Sequence, residues 1–139
     1  MYASYALFLT FDGRTVTDVG ALGTISLEKG EYCYIGSAMN GLEQRLRRHF
    51  SKEKKIHWHI DRLTVRADRM EAYTTGDIGE CDLRRYAERC GMIPAADGFG
   101  CSDCRCGTHL LRSEKGAKDE MIRLMGMTFF GVCLPAPSF

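Results

Sequence analysis

The sequence predicts an α+β domain: a central, mostly antiparallel sheet flanked by helices. Three observations point there. Runs rich in aromatic and apolar residues at 5–11, 31–36 and 69–75 read as strands. Segments at 42–50, 80–90 and 115–125 place apolar residues at helical spacing. The early strands neighbour one another, which fits α+β better than a strict strand–helix alternation.

Taken in order, Tyr5 to Phe11 is a buried strand. Asp12-Gly13 signals a turn, with Arg14 to Val19 as a second strand returning from it. Gly20 and Gly23 punctuate the chain, and Thr24 to Leu27 pairs again before Lys29-Gly30. Glu31 to Gly36 is a strand ended by glycine. Asn40 starts a helix, with Glu43 at capping-box spacing and Leu42, Leu46 and Phe50 as its core stripe. A short helix covers about residues 56–64. Arg69 to Thr75 is a further strand.

Glu80 to Cys90 reads as a helix, with Leu83, Tyr86, Ala87 and Cys90 on one side and Gly91 as its stop. Pro94 to Gly107 is a loop rich in glycine and cysteine, and Leu110-Leu111 a short strand. Lys115 to Met125 is an amphipathic helix in which Met121, Ile122, Leu124 and Met125 pack. Thr128 to Leu134 is the last strand, before Pro135 and Pro137. No internal repeat and no dividing linker interrupts residues 1–139, so one domain is expected.

Hydrophobic residues make up 45% of the chain, enough to fold. The net charge is +1, so any anion binding must come from a local patch. The apolar run at 5–11 is too short for a signal peptide, and no basic segment precedes it. No run approaches the ~18–20 apolar residues of a membrane span. A soluble, cytoplasmic protein without membrane contact is the expectation.

Seven cysteines and no export signal argue against a disulfide framework. Cys101, Cys104, Cys106 and His109 read Cys-x2-Cys-x-Cys-x2-His, a set of zinc-type ligands. A structural zinc and a thiol cluster that folds the loop against the core are both open readings.

The segment Tyr32 to Phe50 carries the chemistry. On a strand, Tyr32 and Tyr34 share a face. Gly36 permits a sharp turn or a close approach. Arg45 and His49, four residues apart, lie side by side at the rim of the helix's apolar stripe. A phosphodiester hydrolase needs such groups: a phenol or imidazole near the attacking water, a guanidinium for the phosphoryl charge, and a carboxylate for a divalent metal. The basic run Arg45, Arg47, Arg48, Lys52, Lys54 and Lys55 is either a solvated face or a phosphate-backbone contact.

Tyr34-Ile35-Gly36, followed by Leu42, Arg45 and His49, resembles the second half of the GIY-YIG nuclease signature. Tyr5, after Ser4, stands where the first half falls. Three further stretches resemble the small Uri-type branch of that superfamily: His57-Trp58-His59-Ile60-Asp61 with Leu63; Glu80-Cys81; and Phe99-Gly100 with Ser102 to Cys106 and His109-Leu110. The resemblance spans residues 4 to about 112 and leaves 113–139 as a helix–strand extension.

The resemblance implies a metal-dependent endonuclease acting on nucleic acid, DNA rather than RNA. By it, Tyr34 or Tyr5 helps to activate water, Arg45 stabilises the transition state, and His49 assists in proton transfer or positioning. An acid on the later helix binds one Mg²⁺ or Mn²⁺; Glu80 is the candidate, with Asp82 and Glu88 as fallbacks. Gly36, His59 and Asp61 support the site, Cys104, Cys106 and His109 form the zinc or structural cluster, and Arg48, Lys52, Lys54 and Lys55 face the nucleic-acid backbone. The chain departs from the family in three places. Ala3-Ser4-Tyr5 replaces Gly-Ile-Tyr, the spacer from Asp12 to Glu31 is long enough to hold an inserted hairpin, and the family's register for the metal-binding acid falls near Arg85, which cannot bind a cation. Two alternatives remain: a non-catalytic nucleic-acid-binding module, and a zinc-stabilised interaction domain.

Overall fold

A computed structural model describes residues 3–38, 40–76, 78–100, 106–114 and 116–134. The strands are β1 (Ala3–Phe11), β2 (Thr15–Asp18), β3 (Thr24–Leu27), β4 (Gly30–Ala38), β5 (Arg69–Gly76), β6 (Ile93–Pro94), β7 (Leu110–Ser113) and β8 (Thr128–Cys133). The helices are α1 (Leu42–Phe50), α2 (Asp61–Thr64), α3 (Glu80–Arg89) and α4 (Ala117–Met125). Six strands form one sheet in the order β6-β7-β4-β1-β5-β8, every pair antiparallel. The α+β class expected from the sequence is the one observed. Among the described residues no helix is long and apolar enough to cross a membrane.

Strand β1 is buried on both faces because both faces of the sheet are covered. Tyr5, Leu7, Leu9 and Phe11 point into one core, with Tyr32 of β4, Leu46 of α1 and Ile60. Ala6 and Phe8 point into the other, with Cys33 and Ile35 of β4, Leu83 and Ala87 of α3, and Met121 of α4. Thus α1, α2 and the β2–β3 hairpin lie over one face, and α3 and α4 over the other.

The inserted hairpin exists, but it does not return along β1. β2 pairs with β3 in a separate two-stranded sheet. Both edges of β1 are already taken, by β4 and β5.

The capping box predicted at Asn40 and Glu43 does not form. Gly41 occupies the cap position in a left-handed conformation (φ 68°) without a side-chain cap bond. Glu43 instead pairs with Arg47 one turn on, at 2.6 Å. The second helix is shorter than predicted, Asp61–Thr64. The Asp61 carboxylate accepts the N–H groups of His57 (2.8 Å) and Trp58 (2.9 Å), so the preceding residues wrap around a side chain instead of a helix axis.

On α3, Leu83 and Ala87 face the core as expected, but Tyr86 is 41% exposed and Arg84 is buried in its place. Arg84 donates to the Thr108 carbonyl at 2.9 Å and pairs with Glu88 at 2.8 Å, which satisfies the buried charge. On α4, Met121 is buried while Leu124 is 58% exposed, a correction to its predicted packing role. Gly126, left-handed at φ 57°, ends that helix and sends β8 along the outer edge of β5.

Candidate active site

The site forms where the end of β4 meets helices from both faces of the sheet. Gly36 of β4 lies opposite Tyr5 of β1. A Cβ at Gly36 would sit 2.5 Å from the Tyr5 Cζ, so the phenol lies directly over bare backbone. This close approach, rather than an unusual φ, is what requires glycine. Gly36→Ala is expected to displace Tyr5 and lower unfolding stability by about 1–3 kcal/mol. A parent-like denaturation midpoint would contradict the close packing.

Tyr5 is hydrogen-bonded to His49 Nε2 at 2.7 Å. Both are almost wholly buried, at 2% and 1% exposure. Burial pushes the Tyr5 phenol well above its usual range, and the neighbouring Tyr34 adds to this. Burial, with the Lys54 ammonium beside it, pulls the His49 imidazole down to about 3. The two shifts run apart, so the pair is neutral through the physiological range. His49 Nδ1 has no hydrogen-bond partner among the described residues.

Tyr34 stands one layer further out. Its ring packs edge-on against His49 (6.2 Å) and Phe99 (6.0 Å). It lines a cleft of about 420 Å³ with Leu22, His57, Trp58, His59 and Gly100. Gly100, at φ 72°, brings its backbone against the Tyr34 ring.

Arg45 and Glu80 reach the same strand end from opposite faces. Arg45 Nη1 donates to the Ser37 carbonyl at 2.6 Å. The Ser37 hydroxyl donates to Glu80 Oε2 at 3.1 Å. Guanidinium and carboxylate are therefore joined through one residue of β4. The Arg45 guanidinium also stacks over Trp58 (5.0 Å), which carries Arg48 over its ring as well (4.6 Å).

The structure thus gathers Tyr5, Tyr34, Gly36, Arg45, His49 and Glu80 at one strand end. It sorts them by depth: Tyr34, Arg45 and Glu80 are half-buried, whereas Tyr5 and His49 lie beneath them. Direct contact of Tyr5 or His49 with a substrate, implied by the sequence resemblance, is not what this burial allows. Their place is beneath Tyr34 and Arg45. The fallback acids do not join the site: Asp82 pairs with Arg85 and Glu88 with Arg84.

Three side chains of the basic run spend their charged ends on partners within the protein. Arg48 forks onto Asp61 (2.7 and 2.9 Å) and donates to the Lys55 carbonyl. Lys52 donates to the carbonyls of Thr64 and Ala67. Lys54 donates to those of Arg48 (2.9 Å) and His49 (3.0 Å), satisfying the last turn of α1. Burial, reinforced by Arg48 and Lys52 nearby, brings the Lys54 ammonium down to about 8 despite Asp61. Lys55 alone of the four presents an exposed residue without such a bond among the described residues.

Asp61 is fully buried and serves the site from below, through Arg48 and the two N–H groups of the Trp58 turn. His59 packs on Phe99 at 6.0 Å. Of the cysteine cluster, Cys101 and Cys104 lie outside the described residues. Cys106 and His109 approach Cys81 of α3, a partner that local spacing did not reveal. Ser37 was also missed, because a contact made through a carbonyl leaves no mark on residue type. The role of Trp58, the chain's single tryptophan, as a platform for two arginines appears only in three dimensions.

This is a small antiparallel α+β domain whose polar site sits at the end of a central strand. The family model described as a domain of unknown function, DUF123, matches residues 4–129, and the chain belongs to that family. No curated protein and no solved structure matches the chain.

Proposed function

We propose that the protein is a metal-dependent endonuclease that hydrolyses nucleic-acid phosphodiester bonds, with DNA as the substrate. The observation that carries this reading is the junction at Ser37, where the Arg45 guanidinium and the Glu80 carboxylate meet, with Arg45 stacked on the Trp58 ring that lines the Tyr34 cleft. The likeness of Tyr34-Ile35-Gly36, Arg45 and His49 to the GIY-YIG signature supports it.

In this reading Arg45 binds the scissile phosphate, since its planar fork suits two phosphoryl oxygens and the charge that builds on them. Tyr34, at the cleft wall, orients the attacking water and exchanges a proton with it. The Tyr5–His49 pair holds Tyr34 from behind. The reaction is a one-step displacement by water, with inversion at phosphorus.

The donors at Glu80 fit a hard divalent cation. Its Oε2 takes one hydrogen bond from Ser37, and Oε1 takes none among the described residues. A single carboxylate suits Mg²⁺ or Mn²⁺, which retain water ligands and accept substrate oxygens. When bound, such an ion polarises the phosphate. Glu80→Gln is expected to weaken Mn²⁺ binding measured by calorimetry, with cleavage falling in parallel; unchanged affinity would place the ion elsewhere.

The test of the function itself is cleavage of duplex, single-stranded, flap and junction DNA with Mn²⁺ and with chelator. Cleavage of at least one substrate, lost on chelation and in Arg45→Ala, is the expected result. Folded protein that cuts none of them under Mn²⁺ would overturn it. A binding module without catalysis is less favoured, because the charged ends of Arg48, Lys52 and Lys54 are already hydrogen-bonded within the protein.

A further inference from the structure

We infer that Cys81, Cys106 and His109 form a zinc site that fastens the start of α3 to the segment entering β7. Cys81 lies on α3 and Cys106 and His109 on the loop that enters β7, yet the three ligand atoms lie within 4.8 Å of one another. Zn–S bonds of about 2.3 Å and Zn–N bonds of about 2.0–2.1 Å make tetrahedral edges of roughly 3.5–3.8 Å. The distance from Cys81 Sγ to His109 Nε2 is 3.9 Å, already close to such an edge.

The imidazole is set as a ligand. Its Nδ1 faces the Ile35 carbonyl at 3.2 Å, an acceptor only, so Nδ1 carries the proton. In the neutral ring this leaves the Nε2 lone pair turned towards Cys81. A backbone carbonyl that fixes the tautomer in this way is the usual outer partner of a metal-bound histidine. The His109 backbone is itself pinned, its N–H to Phe99 (2.7 Å) and its carbonyl to the N–H of Ile35 (3.0 Å).

The thiols suit the role as well. Cys81 lies in the first turn of a ten-residue helix, where the dipole favours a thiolate. Cys81 and Cys106 line an open cleft with Arg84, Arg85 and Glu88, which gives an ion a way in. Two sulfurs and an imidazole are soft donors that select zinc over magnesium. The site is therefore chemically distinct from Glu80, its neighbour in sequence, and does not depend on the hydrolase reading. The described residues supply three ligands, and tetrahedral zinc takes a fourth donor.

The test is metal content of the full chain purified without added metal. About one zinc per chain is expected, retained on dialysis and lost in Cys106→Ser, but kept in the control Cys90→Ser. Exchange of the parent protein with Co²⁺ is expected to give thiolate-to-cobalt charge-transfer absorption, a readout that needs no variant to fold. Zinc-free protein without that absorption would overturn the inference. So would a Cys81–Cys106 disulfide, seen as two thiols recovered only after reduction.

Discussion

Arg45→Ala is expected to slow phosphodiester cleavage by about 10²–10³-fold, the usual loss when a preorganised donor to developing charge is removed. The fold should survive. Arg45 is half-buried, and its side-chain contacts among the described residues are the Ser37 carbonyl and the ring of Trp58, which packs at the edge of the core. Unfolding stability should therefore shift by no more than about 1–2 kcal/mol. Arg45→Lys retains the charge but not the planar fork, and should recover only part of the rate. Single-turnover rates beside denaturation curves separate the two effects. A parent-like rate in Arg45→Ala would remove the residue from the chemistry.

The largest expected stability effect is at Asp61. Its carboxylate is fully buried and accepts four hydrogen bonds, two from Arg48 and one each from the N–H groups of His57 and Trp58. Asp61→Asn leaves Arg48 without its counter-charge and should cost about 3–5 kcal/mol. Burial alone would raise this carboxyl, but the Arg48 fork and the two N–H groups outweigh it and hold the group at about 2.

A folded-state value below that of the unfolded chain stabilises the protein at neutral pH, here by roughly 2 kcal/mol. This contribution is complete above the unfolded value, near 4, and is lost as pH falls through about 2. The parent should lose stability between pH 5 and 2 more steeply than Asp61→Asn, by urea denaturation across that range. Identical acid profiles would show that Asp61 does not carry the effect.

The reading of the sequence succeeded where pattern alone decides structure. β1, β4 and β5 stand out by aromatic and apolar content, α1 and α3 by spacing, and the resulting α+β class is observed. It failed where a tertiary partner overrides the local signal. Asn40 and Glu43 have the residue types of a capping box, but Gly41 takes the cap position and Arg47 takes the glutamate. Tyr86 carries the right period yet yields the core to Arg84, whose charge is satisfied by a carbonyl 24 residues away.

The same division holds at the site. Tyr34, Gly36, Arg45 and His49 were legible because a strand–glycine–helix sequence sets their spacing. Depth was not legible: nothing in the residue types separates the buried Tyr5 and His49 from the half-buried Tyr34. The partners of the basic run were not legible, because lysine and arginine look alike whether they face a phosphate or the carbonyls that end a helix. Cys81 was not legible as a neighbour of Cys106 and His109 because they lie 25 and 28 residues further along the chain.

The junction at Ser37 also bears on how such a protein can change. Two helical layers that never touch each other at this point contribute opposite charges, and a single peptide unit gauges the gap between them. Either layer can swap its packing residues, or lengthen its far loops, without altering that gap. The tolerance ends at the strand tip, where a one-residue slip would carry the gauge away from both helices at once.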